Sequence, residues 1–197
     1  QAVHNITGVH WGLYHITDWL GLVPVAVCLC FGVLGLVQWI KRKSILKVDG
    51  SILILGGFYI VTLAAYLFFE SYVVNYRPVL IEGYLEASYP SSTTLLVLCV
   101  MPTAMMQLRD RIKQPMFRKC VSIVIRAFIA FMVIGRLISG MHWLTDIIGG
   151  VLLSAGLFYI YKDAPKPEVK NDKKQLETLL EEDELQNEDD KQGEEAE

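Results

Sequence analysis

The stretch LGLVPVAVCLCFGVLGLVQWI, residues 20–40, contains no charged side chain. About 20 consecutive, mostly apolar residues are what a helix needs to cross the hydrocarbon of a bilayer. Four more candidates follow: Ser51–Phe69, Thr93–Leu108, Phe117–Ile138 and Trp143–Tyr161. The third is short and contains Pro102, which a membrane helix tolerates when its neighbours re-satisfy the freed backbone groups. No long stretch alternates with period two, so a β-barrel is not expected. The predicted fold is all-α, a multi-span transmembrane helical bundle with five spans.

Composition agrees. Of 197 residues, 53% are hydrophobic and 20% charged, and the mean hydropathy is +0.38. The net charge is −3 and no basic patch is large, which excludes a nucleic-acid partner. The four cysteines (Cys28, Cys30, Cys99, Cys120) lie in or beside apolar runs, where a thiol acts as a small hydrophobe, so a disulfide-stapled secreted domain is excluded as well. Of the 21 acidic residues, 14 fall within residues 163–197. Three regions follow: an N-terminal segment 1–18, a membrane domain 19–162, and an acidic tail 163–197. The tail is too polar to fold alone. It reads as solvated chain, with a short helix through Leu176, Leu179, Leu180 and Leu185 that docks a cytoplasmic partner as the alternative.

Lys and Arg set the orientation. Lys41, Arg42, Lys43 and Lys47 follow the first span, Arg109, Arg111, Lys113, Arg118 and Lys119 surround the next turn on that side, and Lys162 and Lys166 follow the last span. The positive-inside rule puts this side in the cytoplasm. The tail is then cytoplasmic in a multi-pass cell-membrane protein, and residues 1–18 are outside. A segment that starts outside without a signal peptide implies a further span ahead of residue 1, six in the intact protein. The Asn5-Ile6-Thr7 sequon carries little weight. Arg126, inside the fourth span, is close enough to Lys119 to snorkel toward the cytoplasmic side.

The opposite side has only Arg77 and Arg136 as cations, and they sit among other polar groups. Pro90-Ser91-Ser92-Thr93 opens the third span, and His142 and Asp146 open the fifth. His142 and Asp146 are four apart and share a helix face. A carboxylate there holds one imidazole nitrogen and leaves the other as nucleophile or base. The plain reading is an interfacial histidine followed by an ordinary acidic first turn. No further His or Cys is spaced to complete a metal site. Ser91 and Ser92 read either as a plain N-cap or as an anion site on a helix N-terminus, to which Arg77 and Arg136 add forked donors. Together these residues point to phosphoryl transfer through a histidine, with neither metal nor organic cofactor.

The run Gly135-Arg136-Leu137-Ile138-Ser139-Gly140-Met141-His142-Trp143-Leu144-Thr145-Asp146, closed by Gly149-Gly150, resembles the third signature of the type 2 phosphatidic acid phosphatase family, S-R-x5-H-x3-D. Arg77-Pro78 is similar to the end of its first signature, K-x6-R-P, and Pro90-Ser91-Ser92-Thr93 to its second, P-S-G-H. The resemblance implies a phosphohistidine at His142, oriented by Asp146, with Arg77, Arg136, Ser91 and Ser92 around the phosphoryl oxygens. The implied substrate is a membrane lipid carrying a phosphate or pyrophosphate; phosphatidic acid, phosphatidylglycerol phosphate and undecaprenyl pyrophosphate are family substrates.

Three positions depart from the signatures. Glu70 stands where the family has its lysine, Gly135 where it has serine, and Thr93 where it has the histidine that protonates the leaving oxygen. Losing a general acid typically costs about 10²–10⁴-fold. Three readings follow: a phosphatase whose leaving group needs no proton, which favours a polyprenyl pyrophosphate; an enzyme with a substitute acid, Glu82 or Glu86; or a degenerate member that binds or moves a phospholipid without hydrolysing it.

Overall fold

The computed structural model describes residues 8–165. The sequon and nearly all of the acidic tail lie outside the described residues. The described chain is helical: α1 (Trp11–Leu20), α2 (Leu22–Arg42), α3 (Gly50–Ser71), α4 (Ser92–Arg111), α5 (Pro115–Ile138) and α6 (Leu144–Asp163), with a short 3₁₀ turn at Ile45–Lys47 between α2 and α3. Helices α2 to α6 run alternately up and down. The turns bearing Arg42, Lys47, Arg111 and Lys113 are therefore at one end, and residues 72–91 and 139–143 are at the other, the site end.

Four helical stretches are long and apolar enough to cross a membrane: Trp11–Arg42, Gly50–Ser71, Pro115–Ile138 and Leu144–Asp163. The fifth expected span is present as α4 but does not meet that criterion, because it is the axis of the bundle. It packs against α2, α3, α5 and α6, and none of its residues from Ser92 to Leu108 is exposed. Protein surrounds it where lipid surrounds the others, so it accommodates Thr93, Thr94, Thr103 and Gln107 in buried positions. These groups are bonded: Thr103 Oγ1 donates to Cys99 O at 2.9 Å, and Gln107 Nε2 donates to Tyr161 Oη at 3.0 Å. The outer helices present the apolar surface, with Leu29 and Val33 on α2, Ile60 and Leu63 on α3, Ile123 and Val124 on α5 and Leu152 and Ile160 on α6 all exposed.

The first span starts earlier than its hydropathy implies. Helix α1 precedes it, joined at Gly21, and packs on the site end of α5. From sequence, residues 11–18 fall in the outer N-terminal segment ahead of the first span. Their helical register instead puts Tyr14 and Thr17 on the buried face. The close packing requires Gly135: a Cβ there would lie 2.8 Å from Thr17 Cγ2. Thr17 is fully buried and its hydroxyl donates to Leu13 O at 2.9 Å, so it has little room to move.

The two glycines after Asp146 have a similar role. A Cβ on Gly149 would sit 2.3 Å from the Tyr89 ring, and one on Gly150 3.2 Å from Thr94 Cβ. They let α6 approach the residues that lead into α4. Gly149→Ala is therefore expected to destabilise the protein by about 1–3 kcal/mol through overpacking. Gly156→Ala, on the same helix with nothing within 4 Å of the new methyl, is expected to be neutral or slightly stabilising. Denaturant unfolding of the two variants in detergent checks the contrast.

Candidate functional site

Residues 72–91 return from α3 to α4 as an irregular hairpin. Isolated bridges pair Tyr76 with Ala87 and Ile81 with Tyr84. Arg77 N donates to Glu86 O at 3.1 Å and Ser88 N to Asn75 O at 2.9 Å. The tip turns at Glu82 and Gly83, both with positive φ. Trp143 Nε1 donates to Tyr76 O at 2.9 Å, which fastens this hairpin to the start of α6.

Beneath the hairpin lies a cavity of about 440 Å³, whose wall includes Glu70, Arg77, Glu86, Ser88, Ser92 and His142. Tyr66 and Phe69 on α3 also line it. Of the residues singled out from sequence, the structure brings Arg77, Ser92, Glu70 and His142 to one wall. Ser91, Arg136 and Thr93 are not on it. Ser91 is fully buried; its amide donates to Asp146 O at 3.1 Å and its hydroxyl accepts from Thr94 at 3.1 Å. Arg136 is buried, donates through Nη2 to Asp18 Oδ1 at 2.9 Å and to Thr93 Oγ1, and has its guanidinium carbon 5.2 Å from the centre of the Tyr14 ring. Thr93 is thus an acceptor for Arg136, not a group facing the cavity. Of the two substitute acids considered, Glu86 reaches the cavity and Glu82 does not. Glu86 Oε2 is 3.1 Å from Arg77 Nε, an ion pair without hydrogen-bond alignment.

His142 precedes α6 and is buried, as is Asp146 in its first turn. Asp146 Oδ2 accepts from Trp143 N at 2.8 Å. The Asp146 oxygen lies 3.8 Å from His142 Nδ1, too far for a hydrogen bond. Between them sits the Ser88 hydroxyl, 3.2 Å from His142 Nδ1 and in hydrogen-bond contact with Asp146 Oδ2. His142 Nε2 has no partner.

Sequence reading missed Ser88, Asp18 and Tyr14. Ser88 lies outside the compared signatures and is brought in by the hairpin. Asp18 and Tyr14 are visible in retrospect as i, i+4 neighbours on a helix that the charge at Asp18 concealed.

The sequence model of the PAP2 superfamily matches residues 24–168. The chain belongs to the PAP2 superfamily. Its structure is similar to a crystal structure described as that of the first transmembrane PAP2 type phosphatidylglycerolphosphate phosphatase from Bacillus subtilis, with a TM-score of 0.55 and 19% sequence identity, covering 82% of this chain and 81% of that one. At that identity the likeness concerns the fold, a transmembrane helical bundle. No curated protein matches the chain. Arg77 from the hairpin and Arg136, His142 and Asp146 from the run between the end of α5 and the first turn of α6 lie at the same end of this bundle.

Burial pushes the His142 imidazole below its ordinary pKa, and the positive charges of Arg77 and Arg136 act in the same direction, against the opposing pull of Asp146. His142 is therefore neutral at pH 7. An NMR titration of His142 is expected to give a midpoint below the ordinary value of about 6.5. Because the unfolded chain then binds the proton more readily than the folded one, this residue's linkage subtracts stability as the pH falls below about 6.5 and has no effect above it.

Proposed function

We propose that this protein hydrolyses a lipid phosphate or pyrophosphate at the outer membrane face, without a metal, through a phosphohistidine at His142. One observation carries the reading. Among the described residues, every buried side-chain nitrogen or oxygen that lacks a hydrogen-bond partner belongs to Arg77, Arg136 or His142: Nε and Nη1 of both arginines, and Nε2 of the histidine. Buried polar groups are normally satisfied, and leaving one unpaired costs about 1–3 kcal/mol or more. Arg77 and His142 line the same cavity, so their unsatisfied nitrogens fit an anion with an electrophilic phosphorus, with the charge of Arg136 behind that wall.

The chemistry follows from these positions. His142 Nε2 attacks phosphorus as the P–O bond to the lipid breaks. Arg77, and Arg136 from behind the wall, take the developing oxyanion charge. The free N–H groups at the start of α4, next to Ser92, add to this field. Water then attacks the phosphohistidine and frees phosphate. With Thr93 engaged by Arg136, no second histidine among the described residues lines the cavity to protonate the leaving oxygen. That favours a leaving group that departs as an anion, and hence a polyprenyl pyrophosphate. The outward orientation of the site rests on the basic residues gathered at the other end of the bundle, which also puts the acidic tail in the cytoplasm.

A second reading is a phospholipid binder without turnover. The Arg77–Glu86 ion pair favours it, since an anion must compete with Glu86 for that guanidinium.

Phosphate release by the purified protein in detergent with EDTA, against undecaprenyl pyrophosphate, phosphatidylglycerol phosphate and phosphatidic acid, separates the two. The expected result is release from the pyrophosphate, lost in His142→Ala and reduced by about 10²–10³-fold in Arg77→Ala. Binding of the lipids with no release from any of them would establish the binder instead.

A further inference from the structure

We propose that Ser88 is a positioning residue for His142, a hydroxyl inserted between the imidazole and Asp146 that fixes the tautomer in which Nε2 faces the cavity as the nucleophile. The inference deepens the phosphohistidine reading and rests on it for its catalytic consequence. The geometric part stands alone.

The distances exclude a direct pair. Asp146 Oδ2 is 3.8 Å from His142 Nδ1, beyond the range of about 2.7–3.2 Å for a nitrogen donor. Ser88 Oγ is 3.2 Å from Nδ1 and touches Oδ2. A hydroxyl has one proton to give and lone pairs to receive. An ionised carboxylate only accepts, so the Ser88 proton goes to Asp146. The lone pairs of Ser88 then face Nδ1, which must carry its own proton to bond there. The chain runs Nδ1–H to Oγ and O–H to Oδ2, and Nε2 keeps its lone pair. Ser88 is 2% exposed, and Asp146 is fully buried, so bulk water does not stand in for the hydroxyl.

The backbone adds a second consequence. Ser88 N bonds to Asn75 O, and Arg77 N bonds to Glu86 O, in the same hairpin. The segment that presents Arg77 to the cavity therefore also carries the group that orients the nucleophile.

The test uses the full chain, labelled with ¹⁵N-histidine, and reads both the ring nitrogens of His142 and the kinetics of phosphate release. His142→Gln assigns the signals. The native protein is expected to show protonated Nδ1 and bare Nε2 at pH 7.5. Ser88→Ala is expected to give a mixture of tautomers and to lower kcat by about 10–100-fold, with KM within about twofold and a shifted acid limb in the pH profile. Ser88→Thr, which keeps the hydroxyl, is expected to restore most of the rate and the native tautomer. A native protein with its proton on Nε2 overturns the proposal without any variant. So does Ser88→Ala with the native tautomer and native kcat, or with a loss confined to KM. If the native protein releases phosphate from no lipid, the enzyme reading fails, and the tautomer measurements still decide the role of Ser88.

Discussion

Asp146 is a carboxylate with no solvent exposure, in the first turn of the last helix, at the site end of the bundle. A buried charge is tolerated only where it is thoroughly bonded, and the groups that bond it come from three directions. The Trp143 amide comes from its own turn and the Ser88 hydroxyl from the hairpin. The Thr145 hydroxyl donates to the other carboxylate oxygen at 3.5 Å, and the positive end of α6 adds to these. The Asp146 carbonyl meanwhile accepts from Ser91, at the entrance to α4. One residue thus fixes the relative positions of hairpin, central helix and final helix. These are the elements that carry Arg77, Ser92 and His142.

Arg136 anchors the other side of the site. It is buried, its partner Asp18 comes from α1, and its guanidinium carbon lies over the ring of Tyr14 on the same helix. Two of the departures from the family signatures fall in this neighbourhood. Gly135 makes room for Thr17, and Thr93 offers its oxygen to Arg136. Changes that look like separate losses when counted against a motif are one local arrangement in space, in which α1 and Thr93 share the holding of the arginine.

The parts of the fold that were legible in sequence are those where the neighbour is lipid. Four outer stretches advertise themselves because the whole surface of each must be apolar. Helix α4 was found more weakly, since its surroundings are protein and its threonines and Gln107 dilute the signal. Helix α1 is not set apart in sequence, because it is only ten residues long, buries only Tyr14 and Thr17, and carries His15 and Asp18 on its exposed side. At the site, spacing within one helix turn made His142 and Asp146 readable as a pair, but spacing cannot tell 2.8 Å from 3.8 Å. The intervening hydroxyl of Ser88, 54 residues from His142 in sequence, depends on the path of a hairpin that no periodicity encodes.

The central helix has a consequence for how the protein is made. A segment leaves the translocation channel for lipid in proportion to its own apolar character, and α4, with its buried threonines and glutamine, partitions poorly by itself. Helices α2 and α3 are synthesised first and already offer it one protein flank, but the other flank consists of α5 and α6, which emerge later. The third of the long helices therefore has its full protein surround only once the fourth and fifth are in place. The residues that complete the site, on either side of α4, come together only when that enclosure closes.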